Sequence, residues 1–354
     1  MKIIQIIPQF SVGGAEIMCE TLSYALQALG HQVIVVSLYD YRSVITERLE
    51  GAGLDVRYLG KKRGVDLSVL RRLRKLFQSE RPDAVHSHLY ASEYVVPAAV
   101  MAGIKHRVHT LHSIAQKENG RAGRLLNRVF FRCFGAVPVA LSDLVRDTVI
   151  EEYGLKKEKI PVILNGIDLS KCQEKTSYAQ EGPFTVLHVG RFVETKNQLG
   201  LLRAFSRFHA AHPDSELHLI GEGELQAAAE QYVAENGMAD CVRFLGLQGA
   251  VHGFLHRADV FVLPSLYEGV PMTLIEAMGS GLPIVASAVG GVPNMLDESC
   301  ATLVRPEEQA VADALTAYYE DEQLRRRHGE AAKRRSPDFS DLKMAANYVE
   351  VYQG

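Results

Sequence analysis

Cysteine is scarce and scattered. Cys19, Cys133, Cys172, Cys241 and Cys300 are odd in number, far apart, and form no C-x-x-C pair. That excludes a disulfide framework and a zinc knuckle, and it fits a reducing compartment. Long hydrophobic runs are missing too. None approaches the ~18–20 residues of a membrane span, and the run before Pro8 is too short for a signal-peptide core. The expectation is a soluble, cytoplasmic protein. The 29 glycines and 13 prolines are dispersed, which excludes collagen-like or low-complexity segments. Neither charge sign is in large excess: the net charge of −3 argues against a general nucleic-acid binder.

What is present is ordinary globular composition, with 47% hydrophobic and 23% charged residues over 354 positions. At ~100–200 residues per domain this length predicts two domains, each with its own core. The charge is unevenly divided. Residues 1–180 carry 25 Lys and Arg against 18 Asp and Glu, whereas residues 181–354 carry 14 against 24. A basic front half on a mildly acidic chain suggests that one domain meets an anionic partner.

Short apolar runs alternate with longer amphipathic ones. Ile3–Ile7, Val33–Val36, Asp83–Val85, Arg107–Thr110 and Ala136–Ala140 read as strands. Their β-branched, doubly apolar character suits a parallel sheet covered on both faces. Ala15–Leu29 has helical spacing at Ile17, Leu22, Ala25, Leu26 and Leu29 and stops at Gly30. After Asp168 the alternation lapses, so the polar stretch 169–183 reads as a linker. It resumes with strands at Phe184–Val189, Leu217–Ile220, Val242–Leu245, Val260–Leu263 and Ile284–Ala286. Ser340–Tyr352 closes the chain as an amphipathic helix, its apolar positions being Leu342, Ala345, Ala346 and Val349. The fold class expected is α/β: two Rossmann-like, doubly wound domains facing across a cleft, the first over 1–168 and the second over 184–338.

Candidate chemistry sits where strands end. Gly13-Gly14-Ala15-Glu16 opens a helix directly after the first strand, a place where backbone approaches an anionic ligand closely. It is not G-x-G-x-x-G, which lowers the expectation of a nicotinamide or flavin cofactor. Gly190-Arg191 follows the Phe184–Val189 strand and Lys196 comes five residues later, so a planar fork and a compact cation stand together at a helix start. Together they suit a diphosphate; the alternative is a solvated surface pair. Glu268 and Glu276 flank Pro271, one in a loop and one inside the following helix; carboxylates accept hydrogen bonds from sugar or ribose hydroxyls, and the alternative, favoured on the residues alone, is a capping or solvated carboxylate. Five of the thirteen histidines, His86, His88, His106, His109 and His112, fall within 27 residues. His86 and His88 share one strand face. No Cys or carboxylate joins them at metal-ligand spacing, so packing and loop hydrogen bonds are the expectation for all but His112. His112 lies just past a strand end, projects toward the expected cleft, and suits a hydroxyl-orienting or basic role.

These elements, in this order, resemble the glycosyltransferases of the two-domain GT-B fold, most closely the retaining family 4. The resemblance rests on Gly13-Gly14-Ala15-Glu16, Thr-Leu-His112, Asn165-Gly166-Ile-Asp168, Gly190-Arg191 with Lys196, Gly221-Glu-Gly223, Phe244-Leu-Gly246, and the block from Glu268 through Glu276-Ala-Met-Gly-Ser-Gly281-Leu-Pro283. It implies that Arg191 and Lys196 bind the donor diphosphate and that Glu276 takes the ribose hydroxyls. Glu268 and the amides of Gly269, Met272 and Thr273 would hold the donor sugar. His112 would lie near the anomeric carbon, Gly14 would approach from the first domain, and backbone at Gly246 and Leu247 would contact the base. The helix over 339–354 would cross back onto the first domain. Two positions depart from the pattern: Asn294 stands where the family has Glu in G-G-x-P-E, and Val270 where it has an aromatic residue.

The resemblance implies a hexose-type transfer from a nucleotide sugar, UDP-sugar first among them, to a glycan or lipid-linked acceptor in cell-envelope polysaccharide synthesis. No D-x-D occurs, the acidic pair with which many sugar-transferring enzymes of a different fold hold a divalent cation. The expectation is therefore metal-independent chemistry without a resident cofactor. Retention needs no enzyme nucleophile, whereas His112 acting as a base on the opposite face would give inversion. Two basic stretches stand out in the first half, Lys61–Arg63 with Arg71, Arg72, Arg74 and Lys75, and Arg121, Arg124, Arg128 and Arg132; the second, interleaved with Leu125, Leu126, Val129, Phe130, Phe131 and Phe134, suits an anionic membrane surface, the alternative being a core-facing helix with a solvated polar side. The rival readings are a nucleotide-sugar epimerase or phosphorylase on the same fold, and a non-catalytic nucleotide-sugar-binding partner.

Overall fold

The apolar runs become strands of two parallel sheets. The computed structural model describes residues 1–11 and 13–354. In the first sheet β1 (Lys2–Ile7), β2 (Gln32–Ser37), β3 (Asp55–Tyr58), β4 (Ala84–His88), β5 (His106–Leu111) and β6 (Ala136–Ala140) take the order β3-β2-β1-β4-β5-β6. In the second, β7 (Phe184–Val189), β8 (Ser215–Ile220), β9 (Val242–Phe244), β10 (Val260–Leu263), β11 (Ile284–Ser287) and β12 (Thr302–Val304) take the order β12-β11-β10-β7-β8-β9. Every neighbouring pair is parallel. This is the doubly wound α/β class expected, and its order reverses beside the first strand of each sheet, between β1 and β4 and between β7 and β10.

The chain divides into two units, Met1–Gly166 with Ser340–Gly354, and Ile167–Phe339. In the first, Ile3, Ile7, Val33 and Val35 face one core and Ile4, Ile6, Ile34 and Val36 the other, as alternation across a strand requires. In the second, Val186, Leu217, Leu219, Val260 and Val262 pack on Phe205, Phe208, Leu315 and Tyr318.

Two strands have no counterpart in the sequence reading, and both are sheet edges. β3 (DVRY) and β12 (TLV) have no fully buried residue. An edge strand covered on one side has no need of an apolar run, so periodicity does not reveal it. The segment 169–183 is a strap rather than a free linker. Lys175 donates from its backbone N–H to Ser280 O (2.9 Å) and from Nζ to Ala258 O (2.7 Å), and buried Tyr178 donates its hydroxyl to Gly281 O (2.8 Å). Those attachments are polar and local, and they leave no hydrophobic period.

The helix Gly14–Ala28 buries Met18, Leu22, Ala25 and Leu26, while Ile17 stays exposed. The last helix, Asp341–Gln353, is capped by Ser340, whose Oγ accepts from Lys343 N–H at 3.1 Å. Its buried stripe is Met344, Ala345, Tyr348 and Tyr352, and Leu342 is exposed. The stripe is rotated from the one read in sequence because two tyrosines, polar at their tips, are the residues that go inside. Their hydroxyls find partners there, which makes the burial tolerable. No helix among the described residues is long and apolar enough to cross a membrane.

Candidate active site

In the second unit the candidate residues gather at the carboxyl ends of β7, β8 and β10. β7 delivers Gly190-Arg191, and the chain then turns through a short 3-10 segment, Glu194–Lys196, into the helix Gln198–Ala211. Lys196 Nζ donates to Glu268 Oε1 at 2.6 Å, and Ser265 Oγ donates to the same oxygen at 2.6 Å. Glu268 is buried and Lys196 half-buried. Both contacts end on Oε1, and two of the ammonium's three protons remain for a ligand.

Two loops hold this pair in register. Leu266 N–H donates to Thr195 O (2.8 Å), and Asn197, in a left-handed conformation at φ 56°, donates from Nδ2 to Pro264 O (3.1 Å). Buried Gln198 donates from Nε2 to Arg191 O at 2.7 Å. Arg191 itself is exposed, and among the described residues no carboxylate is paired with it. The backbone of Arg191 is thus held in place, with its exposed guanidinium unpaired, five residues before a paired ammonium.

The glycine stations of the sequence pattern acquire a physical reason here. A Cβ on Gly221 would stand 2.1 Å from Gly190 O, so only glycine lets the β8 loop press against the Arg191 turn. A Cβ on Gly290, which has φ +55°, would stand 1.8 Å from Glu268 O, and one on Gly291 would stand 2.1 Å from Gly269 O. Gly291 N–H also donates to Glu268 O at 3.1 Å. The Gly290-Gly291 turn is therefore the seat of the Glu268 loop. Asn294, the departure from the family pattern, lies exposed beyond it.

Glu276 lies half-buried on the helix Met272–Gly279, with no hydrogen bond or ion pair among the described residues. Burial alone pushes its carboxyl up from 4.5 to about 7. The same helix begins after Pro271 without a side-chain cap, so the N–H groups of Met272 and Thr273 have no intrahelical acceptor. Gly269 adjoins this start. Gly246 (φ 62°) accepts from Gly221 N–H at 2.9 Å and sends Leu247 outward, 70% exposed.

In the first unit Gly14 opens its helix with nothing within 4 Å of a built Cβ, while Glu16 is buried and accepts from Ser11 Oγ at 2.6 Å. His112 is half-buried just past β5, its Nε2 3.0 Å from His88 Nδ1. Burial pushes His112 down to about 3, so its ring is neutral near neutral pH. Its backbone N–H donates to Glu118 Oε2 at 3.1 Å, and Ser113 N–H and Oγ reach the same oxygen at 2.9 Å each. His86 and His88 are fully buried and hydrogen-bonded within the first unit. Sequence reasoning missed Ser265, Gln198 and Asn197, which are common polar types carrying no pattern of their own, and it missed Glu118, which is drawn in by two backbone amides.

Because Gly290 seats the Glu268 loop, Gly290→Ala is expected to destabilise the protein by more than about 2 kcal/mol, through a strained φ and a backbone clash together. Thermal and urea unfolding read this directly. An unchanged melting temperature would contradict the steric account.

Comparisons with known proteins bear on the family and the fold. The model of glycosyl transferases group 1 matches residues 172–335, and that of Glycosyltransferase Family 4 matches residues 12–171. The chain is 30% identical over 236 residues to a putative glycosyltransferase, EpsF, of Bacillus subtilis, covering 62% of each protein. It is 30% identical over 243 residues to the UDP-Gal:alpha-D-GlcNAc-diphosphoundecaprenol alpha-1,3-galactosyltransferase of Escherichia coli, covering 64% of this chain and 63% of that one. These two alignments thus span somewhat under two thirds of each relative's length. Among solved structures, Alr3699/HepE of Anabaena in complex with UDP superposes with a TM-score of 0.84 at 20% identity, over the full length of both chains. With adjoining family models matched along both halves and the same architecture in both sheets, the chain belongs to the GT-B glycosyltransferases of the family 4 type.

Proposed function

We propose that this protein transfers a hexose-type sugar from a UDP-sugar to a hydroxyl of a glycan or lipid-linked acceptor in cell-envelope polysaccharide synthesis, with retention of configuration and without a metal ion. The observation that carries the reading is the pairing of an unpartnered Arg191 with a Lys196 held by Glu268 at 2.6 Å, at the carboxyl edge of the second sheet. Breaking the anomeric C–O bond leaves charge on the departing diphosphate. A guanidinium fork and an ammonium with two free protons answer that charge as it develops. The uncapped start of the helix at Met272 adds N–H groups of the same sign of field. Glu268 positions the ammonium through Oε1 and has lone pairs left for a sugar hydroxyl, helped by the Gly269 backbone. Glu276 accepts the ribose hydroxyls, and the backbone at Gly246 and Leu247 meets the base.

A cavity of about 760 Å³ in the first unit, lined among others by Tyr39, Tyr90, Glu16 and Arg63, supports acceptor binding there, since aromatic faces and charged tips together suit a polar glycan. The helix Arg121–Cys133 buries Phe130 and Phe131 but leaves Leu125, Val129 and the following Phe134 exposed among Arg121, Arg128 and Arg132. This supports docking on an anionic bilayer, where apolar side chains insert and arginines meet headgroups.

The deciding experiment is steady-state kinetics of UDP release from a panel of UDP-sugars. Lys196→Met and Arg191→Met are each expected to lower kcat/KM by about 100-fold or more, as for loss of one charge-stabilising donor. Wild-type rates in Lys196→Met would overturn the reading. Glu276 gives a second test. Hydroxyl donors favour the ionised carboxylate, so UDP binding should release protons and strengthen as the pH rises through about 7. The same raised carboxyl makes stability of the empty protein fall between pH 4.5 and about 7, because the folded state holds a proton the unfolded state has lost. Glu276→Gln should flatten both profiles relative to wild type, by calorimetry and thermal shift. For the membrane, sedimentation with phosphatidylglycerol vesicles at low salt should drop sharply in Leu125→Glu/Val129→Glu, and equal sedimentation of the variant would exclude this helix as the docking face.

A further inference from the structure

The buried histidines of the first unit form one continuous chain of hydrogen bonds with the last helix. From His112 it runs His112 Nε2 to His88 Nδ1 (3.0 Å), His88 Nε2 to Gln5 Oε1 (2.8 Å), Gln5 Nε2 to Tyr352 Oη (3.1 Å), Tyr352 Oη to His86 Nδ1 (2.7 Å), His86 Nε2 to Thr110 Oγ1 (2.8 Å), and Thr110 Oγ1 to Tyr348 Oη (2.7 Å). Gln5, His86, His88, Thr110, Tyr348 and Tyr352 are all fully buried. These six polar side chains lie buried on the sheet face that also carries Ile3, Ile7, Val33 and Val35. Burying them is costly unless every donor meets an acceptor, so the chain has a definite direction.

The Gln5 amide sets that direction. Its Nε2 only donates and its Oε1 only accepts. Oε1 therefore takes the proton of His88 Nε2–H. A neutral His88 then has a lone pair on Nδ1, which accepts from His112 Nε2–H. His112 is left with an unprotonated Nδ1, for which no protein partner exists among the described residues. On the other side, Gln5 Nε2 donates to Tyr352, whose hydroxyl proton goes to His86 Nδ1.

We propose that Gln5 and Tyr352 are positioning residues that fix the tautomer of His112, presenting Nδ1 as a bare hydrogen-bond acceptor for a substrate hydroxyl. The proposal rests on the reading that His112 belongs to the sugar-transfer site. It adds that the last helix, far along the chain from β5, determines which face of that imidazole is basic. Reversal of the Gln5 amide would reverse every donor and put the proton on His112 Nδ1, so the relay is a two-state element whose state is chosen by Tyr352 and Gln5. The orientation of a ligand-contacting imidazole by its second nitrogen follows the same logic as at metal and triad sites.

The test is long-range 1H–15N NMR on the full chain labelled in histidine, with His112→Asn assigning the resonance. Wild type should show His112 as the Nε2–H tautomer, with Nδ1 at the position of an unprotonated nitrogen. Tyr352→Phe keeps the packing and removes the hydroxyl, and Gln5→Leu removes the amide. Each should shift His112 toward a mixture of tautomers and lower kcat about 10-fold, with the dissociation constant of UDP unchanged. A His112 protonated at Nδ1 in the wild type, or an Nε2–H tautomer retained in both variants, overturns the proposal. If His112→Asn leaves turnover intact while the tautomer responds as stated, the relay stands and the assignment of His112 to the transfer site fails.

Discussion

The ammonium of Lys196 and the carboxylate of Glu268, 2.6 Å apart, join two loops that are 72 residues apart in the chain. A pair this sheltered adds little net stability, because desolvation offsets much of the attraction. Its value is positional. The Lys196 loop is tied to the 264–266 loop by two further backbone acceptors, and the Glu268 loop is seated on Gly290 and Gly291. The cation proposed to meet the departing diphosphate is thus set by the protein's own contacts, and preorganised charge is where electrostatic catalysis gains most. Arg191 has its backbone carbonyl held by Gln198, and its exposed guanidinium has no counter-ion among the described residues. Glu276, its carboxyl unpaired and half-buried, is pushed up to about 7 by burial.

The first unit uses a different device. Its candidate histidine, His112, has no charged side-chain partner among the described residues and is kept neutral by burial. What the fold is proposed to control there is the direction of a hydrogen bond. The last helix turns Tyr348 and Tyr352 inward rather than its leucine, and both hydroxyls find partners there.

Much of this architecture was legible in the residues. Inner strands such as β1, β7 and β10 announce themselves because they are covered on both faces, and the doubly wound class follows from their alternation with helices. β3 and β12 were silent because edge strands are half-exposed and mixed in composition. The strap over 169–183 was silent because carbonyls and polar tips, not apolar periods, attach it. Within the candidate site, Arg191, Lys196, Glu268 and Glu276 were visible as charged residues beside glycine turns at strand ends. Ser265, Gln198 and the partners of the buried histidines were not, since their roles arise from contacts between elements remote in sequence. The glycines at 221 and 290 were visible as a pattern, and the structure turns the pattern into a contact distance.

The most direct measurement of the central claim is a crystal structure of the protein with UDP. The account predicts pyrophosphate oxygens within hydrogen-bonding distance of both Lys196 Nζ and the Arg191 guanidinium, with Lys196 still in contact with Glu268. A diphosphate seated away from these two side chains, or one held through a divalent cation, would contradict it.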